Sequence, residues 1–177
     1  MKYIVIGTGS RGTIYGDWAH KNGIEIAAIA EKRPDRLQKA AKDWGVPMER
    51  CYADGMELLA QGKIADAAII ATMDRDHFAH VMAALDQGYH ILLEKPISPD
   101  PLECVQIEEK ANRLGLTITV CHVLRYTRFW GAIKSVLDSG EMGSVVAVKH
   151  AENIGSFHMA HSFANATPSR NDGKLGR

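Results

Sequence analysis

The stretch "GTGSRG", residues 7–12, decides the fold. Gly7, Gly9 and Gly12 fit the spacing G-x-G-x-x-G, which on its own occurs in many glycine-rich turns. Its neighbours give it meaning. "KYIVI", residues 2–6, is a short apolar, β-branched run of the kind that forms a strand buried on both faces of a parallel sheet. "SRGTIYGDWAHKNG" reads as a helix with Ile14, Trp18 and Ala19 on one apolar stripe. Asn22-Gly23 stops it, and Gly16 weakens its regularity. "IEIAAIA", residues 24–30, is a second apolar strand. Glu31 follows it, about 20 residues beyond the glycines, where an acid can accept the hydroxyls of an adenosine ribose. Strand, glycines, helix, strand and acid in that order predict a dinucleotide seat. A turn without a ligand needs the glycines but not the acid.

Each glycine then has a physical task. Gly7 permits the tight turn, Gly9 leaves the backbone open to a pyrophosphate, and Gly12 lets the helix pack close to the strand. The helix N-terminus presents free N–H groups to the phosphates. Gly7, Thr8, Gly9, Ser10, Arg11 and Gly12 are therefore all candidate cofactor contacts, with Glu31 and Arg36 beyond the second strand. Glu31 favours NAD over NADP because a carboxylate repels a 2′-phosphate; Lys32 and Arg33 follow at once and stand as a counter-argument.

The chain of 177 residues is long enough for one full domain and part of another, and 46% apolar content supplies a core. Lys plus Arg and Asp plus Glu number 21 each, so there is no basic field for nucleic acid or an anionic membrane. No apolar run approaches the roughly 18 residues of a membrane span. The sequence enters a core strand from its second residue, so no signal peptide is expected. Cys51, Cys104 and Cys121 are odd in number and form no C-x-x-C pair, which argues against disulfides and structural zinc and for a cytoplasmic location.

Strand and helix signals keep alternating. Residues 34–44 read as a helix ending at Gly45, "MELLAQG" as a short helix, and residues 65–72 as a buried strand. "DHFAHVMAALDQG" reads as a helix with Phe78, Val81, Met82 and Leu85 on one face, stopped at Gly88. "HILLE" is a strand, "SPDPLECVQIEEKANRLG" a helix capped by Ser98 or Asp100, and "LTITVCH" a strand. This is an α/β, doubly wound parallel sheet of the Rossmann type over residues 1–122. The pattern then changes. "RFWGAIKSVLDSGEMG" reads as a helix and "SVVAVKHAEN" as a strand, the opening of a second domain over residues 123–163. Residues 164–177 have almost no large apolar side chain and read as a disordered tail.

A second motif, "EKP", stands at the end of the strand "HILLE": Glu94, Lys95 and Pro96. Ligands of such sheets bind beyond the carboxyl ends of the strands, so a lysine here points toward a nicotinamide; a surface lysine in a turn is the alternative. Pro96 fixes its own φ and is a candidate for the cis form.

Together these residues resemble the glucose–fructose oxidoreductase, inositol dehydrogenase and rhizopine-catabolism family, Gfo/Idh/MocA. The matching pieces are "GTGSRG", "AAIAEKRPDR", "ADAAIIATMDRDHFAHVMAALDQGYHILLEKPIS" and "VLRYTRFWGAIKSVLDSGEMG", within residues 1–163. The resemblance implies an NAD(P)-dependent oxidoreductase that moves a hydride between nicotinamide and a secondary alcohol of a sugar or cyclitol. It implies that Lys95 is catalytic, orienting substrate and cofactor and assisting proton transfer. Thr72, His77, Glu94, Pro96 and Arg125 match cofactor-lining positions. For His77, a residue at a helix start facing solvent or the cofactor groove, without a part in proton transfer, is the favoured reading. For Arg125, a pocket residue and a domain-linking ion pair both stand. His77 with His80, and His158 with His161, lack the further ligand a catalytic metal needs, so no metal is expected.

The sequence departs from the family after residue 163, where relatives continue for most of a domain, so the resemblance implies that residues 123–163 are the start of a truncated α+β substrate domain. A second hypothesis follows, a dinucleotide-binding fragment or pseudoenzyme without turnover. The strand over residues 144–153 would then be an edge with few neighbours, which predicts a homo-oligomer.

Overall fold

The computed structural model describes residues 1–153 and 155–156. The expected tail at 164–177 and the His158–His161 pair lie outside the described residues. The chain divides into two units, one spanning Met1–Trp130 and a second starting at Gly131.

The first unit is built on six parallel strands: β1 (Lys2–Ile6), β2 (Glu25–Ala30), β3 (Cys51–Tyr52), β4 (Ala67–Ile70), β5 (His90–Leu93) and β6 (Ile118–Val120). Their order is β3-β2-β1-β4-β5-β6. The chain winds outward through β3, then returns to the other side of β1, so the topological switch lies between β1 and β4. Side chains alternate across the pleat. Ile4 and Ile6 of β1 enter one core with Ala68, Ile70, Leu93, Leu58, Val81 and Leu85; Val5 enters the opposite core with Ile29, Ile69, Leu37 and Trp44. Burial on both faces is why the strands are apolar throughout. The helices α1 (Ser10–Lys21) and α2 (Pro34–Trp44) contribute to the second core. The first takes α3 (Gly55–Leu59), α4 (His77–Asp86) and α5 (Pro101–Leu114).

Local chemistry sets the helix ends. Pro34 opens α2 with Asp35 in its first turn and Lys42 in its last, as the helix dipole favours. Of the two expected caps of α5, Asp100 is the one used: its carboxylate accepts the Leu102 N–H at 2.8 Å. Ser98 instead accepts the Asp100 N–H at 3.0 Å and donates to Glu103.

Four expectations are corrected. The strand β3 went unforeseen, because two residues pairing with Ile29 and Ala30 are too few to show a period. The stripe expected on α1 is wrong. Ile14 and Trp18 are exposed, and α1 buries Gly12, Gly16 and Ala19. A Cβ on Gly16 would lie 2.3 Å from the Trp44 ring, so this glycine admits a tryptophan rather than weakening the helix. On α4 the expected Phe78, Val81, Met82 and Leu85 all pack against the first core, but the buried face is wider than expected and includes His77, His80 and Ala84. The two histidines turn inward because a ring nitrogen of each finds a partner there.

The fourth correction falls beyond the first unit. The helix α6 (Arg128–Asp138) forms as expected. Residues 144–153, all described, form no strand. Val146 is 99% exposed and pairs with no strand among the described residues.

Candidate active site

The register brings the last residues of the central strands level. Ile6 pairs with Ala30 and Ile70, and Ile70 with Leu93. The residue after each strand extends the ladder: Gly7 N donates to Ala30 O, Glu31 N to Tyr52 O, Ala71 N to Ile6 O, Glu94 N to Ile70 O and Cys121 N to Leu93 O. Gly7, Glu31, Thr72, Glu94 and Lys95 therefore stand along one carboxyl rim, around the switch point.

The glycines differ in kind. Gly7 has φ +88°, and a Cβ there would lie 2.6 Å from Ala71 O, so conformation and space both require glycine. A Cβ on Gly12 would lie 1.8 Å from Gly7 O, because α1 crosses directly over the loop. At Gly9 a Cβ would meet nothing nearer than Arg36 Nη1 at 3.6 Å. This is the open side of the loop, where an incoming group can approach the backbone. Gly9 is the N-cap of α1, with no side-chain cap and no acid in the first turn. The first N–H groups of α1 are left for a ligand. A cleft of about 410 Å³ adjoins the loop, lined by Thr8, Gly9, Ser10, Thr13, Arg36 and α1–α2 side chains.

Glu31 is fixed in place. One carboxylate oxygen accepts the Thr8 N–H at 2.8 Å and the Thr8 hydroxyl at 3.1 Å; the other accepts the Arg33 N–H at 3.0 Å. Its neighbours are occupied elsewhere. Lys32 pairs with Asp76 at 3.1 Å, and Arg33 grips Asp35 through two nitrogens. Arg36 forms no ion pair among the described residues and borders the open side of Gly9.

On the other side of the switch, Glu94 is 6% exposed yet charged-type, and three groups surround it. Its Oε2 accepts the Lys95 N–H at 3.0 Å, Tyr15 donates its hydroxyl to Oε1, and Arg11 Nε lies 3.9 Å from Oε1. Burial, then the facing Cys121 thiol and the Glu94 carboxylate, push the Tyr15 hydroxyl far above its ordinary range, so it stays a donor. Burial also pushes the Cys121 thiol up. Lys95 itself is exposed, and the Lys95–Pro96 peptide is cis.

His77 is fully buried rather than solvent-facing. Its Nδ1 lies 2.7 Å from Pro96 O; a carbonyl only accepts, so Nδ1 carries the proton. Its Nε2 has no partner among the described residues. His77 thus holds the turn that carries Lys95. Next to it, His80 Nδ1 lies 3.2 Å from the Thr72 hydroxyl, and burial holds its imidazole below the ordinary value. Arg125 is exposed on the single turn Val123–Tyr126 after β6. Sequence inspection singled out Arg11 and Glu94 but missed Tyr15. The available signal was its position four residues after Arg11, on the same face of α1.

The fold and this rim define a class, the doubly wound dinucleotide-binding domains. The family model described as "Oxidoreductase family, NAD-binding Rossmann fold", GFO_IDH_MocA, matches residues 1–122, and the chain belongs to that family. An inositol 2-dehydrogenase of Pseudarthrobacter chlorophenolicus is 29% identical over 153 residues, 85% of this chain and 44% of the relative. An uncharacterized oxidoreductase of Rhizobium meliloti is 32% identical over 127 residues, 72% of this chain and 37% of the relative. Among solved structures, the myo-inositol dehydrogenase of Lactobacillus casei in complex with NAD(H) and myo-inositol superposes with TM-score 0.72 at 28% identity, over 81% of this chain and 43% of that one. The chain thus spans less than half the length of these relatives.

Proposed function

We propose that this chain binds NAD(H) along the carboxyl rim and serves an oxidoreductase acting on a secondary alcohol of a sugar or cyclitol. The observation that carries the proposal is the pairing, across one switch point, of an open Gly9 with a buttressed Lys95 turn. The residues present fit the cofactor. The α1 N-terminus and the open face of Gly9 would take the pyrophosphate, Glu31 the adenosine ribose, and Arg36 the border of the phosphate cleft. Thr72, Glu94, Pro96 and Arg125 belong to the proposed lining, with His77 supporting it from beneath. Bound NAD supplies the hydride acceptor. Lys95 would orient the alcohol and assist its proton transfer. The substrate class rests on the relatives, several of which are inositol 2-dehydrogenases.

NAD is preferred to NADP in this proposal. The Glu31 carboxylate is pinned by three hydrogen bonds and cannot turn away without breaking them, while Lys32 and Arg33 already face carboxylates. Those two ion pairs are exposed and contribute little, so the preference rests on Glu31 rather than on them. Calorimetric titration tests this: NADH should bind at least about tenfold tighter than NADPH, a difference of ~1.4 kcal/mol, and Glu31→Ala should erase the gap. Equal affinities in the unaltered chain contradict the preference. The activity is tested by NAD reduction across a panel of cyclitols and sugars, with Lys95→Ala as the control. Cofactor binding without turnover supports the alternative of a binding module.

A further inference from the structure

We propose that Tyr15 is a positioning residue that, through Glu94, holds Lys95 at a set place relative to the N-terminus of α1. The inference rests on the NAD(H) proposal above and adds to it how the two ends of the cofactor seat are kept in register.

The phosphate end of the seat is the start of α1; the nicotinamide end is the turn after β5. The structure links them by one carboxylate. Tyr15 lies on α1, three residues past Gly12, and donates its hydroxyl to Glu94 Oε1. The other oxygen, Oε2, accepts the N–H of Lys95, the next residue in the chain, at 3.0 Å. A carboxylate held at one oxygen from α1 and closed at the other on its own neighbour's N–H restricts the backbone between Glu94 and Lys95. That restriction aims the Lys95 side chain. Arg11, one turn earlier on α1, adds its charge at 3.9 Å. On the far side, His77 of α4 holds Pro96 O at 2.7 Å, so Lys95 is gripped from both cores.

Packing alone does not account for this arrangement. A carboxylate that is 6% exposed loses most of its hydration, and an apolar residue of similar volume commonly serves stability as well or better. A proton relay does not account for it either, because burial and its neighbours keep the Tyr15 hydroxyl protonated. A fixed donor aimed at a fixed acceptor serves position.

The test compares two ligands by calorimetry, NADH and ADP-ribose, which lacks the nicotinamide. Tyr15→Phe should weaken NADH binding about tenfold, in the range expected for losing a hydrogen bond to a charged group, and leave ADP-ribose within about twofold. In a Lys95→Ala background, Tyr15→Phe should cause no further loss for NADH. Equal losses for both ligands, no loss for either, or a full tenfold loss without Lys95 would each overturn the inference while leaving the NAD(H) proposal standing. An unaltered chain that binds neither ligand would overturn both. Glu94→Gln, which keeps the shape but not the charge, carries the same comparison if Tyr15→Phe fails to fold.

Discussion

Val5 and Val146 are the same residue in similar apolar runs, "YIVI" and "SVVAV", yet one is fully buried in a central strand and the other is 99% exposed. The difference between the first unit and the chain beyond Gly131 is one of neighbours. The strand β1 pairs on one side with β2 and on the other with β4, and its two faces meet two cores. Residues 144–153 have an apolar pattern and pair with no strand among the described residues. A strand belongs to its sheet, because its backbone N–H and C=O groups need partners that a single segment does not hold. The helix α6 shows the same contrast in milder form. Its backbone bonds close within itself, so it forms, while Phe129, Ile133 and Val136 on its surface stay exposed.

The largest expected effect tests the buried side of that contrast. Ile4→Ala removes a fully buried side chain of β1 and should destabilise the chain by about 2–5 kcal/mol in denaturant unfolding. A loss no greater than that of a change at Val146 would break the comparison. Next comes Gly12→Ala, whose new methyl would meet the backbone of Gly7 and should cost about 1–3 kcal/mol. Gly9→Ala, whose new methyl would meet only Arg36 Nη1 at an ordinary contact distance of 3.6 Å, should cost much less, and similar losses at both glycines would deny that the two differ in kind.

A smaller effect lies in pH. Burial holds His80 below its ordinary 6.5, against the pull of Asp76 and Asp54. The unfolded chain therefore binds more protons there than the folded one, so this contribution is present above about pH 6.5 and is lost as pH falls through the folded value. His80→Gln should flatten the fall of the unfolding midpoint between about pH 7 and 5. An unchanged slope would show that His80 does not carry it. The smallest effect is expected in the second region. Val146→Ser should shift stability by less than about 0.5 kcal/mol, and sedimentation should show weaker self-association, since Val145, Val146 and Val148 are exposed together. A large loss of stability would mean the segment is packed in solution.

The sheet was legible in the sequence wherever burial on both faces made a run continuously apolar, as in β1, β2, β4 and β5, and wherever Gly or Pro marked a boundary, as at Pro34 and Gly115. What stayed hidden depended on contacts distant along the chain. Gly16 looks like a helix weakness until Trp44, 28 positions later, packs against it. His77 reads as a residue facing solvent or the cofactor groove until Pro96 O supplies its buried partner. The glycine loop and "EKP" were visible as motifs; the Tyr15–Glu94 link between them was not, since it spans 79 positions and no local period records it.

Gly9→Val decides whether the open face of Gly9 is where the cofactor's phosphates approach. A Cβ there has 3.6 Å to the nearest side chain, so the variant should stay folded, with a circular dichroism spectrum like that of the unaltered chain. Calorimetry should then find no NADH binding. A folded Gly9→Val chain that binds NADH with unchanged affinity would mean that the phosphates do not approach at Gly9.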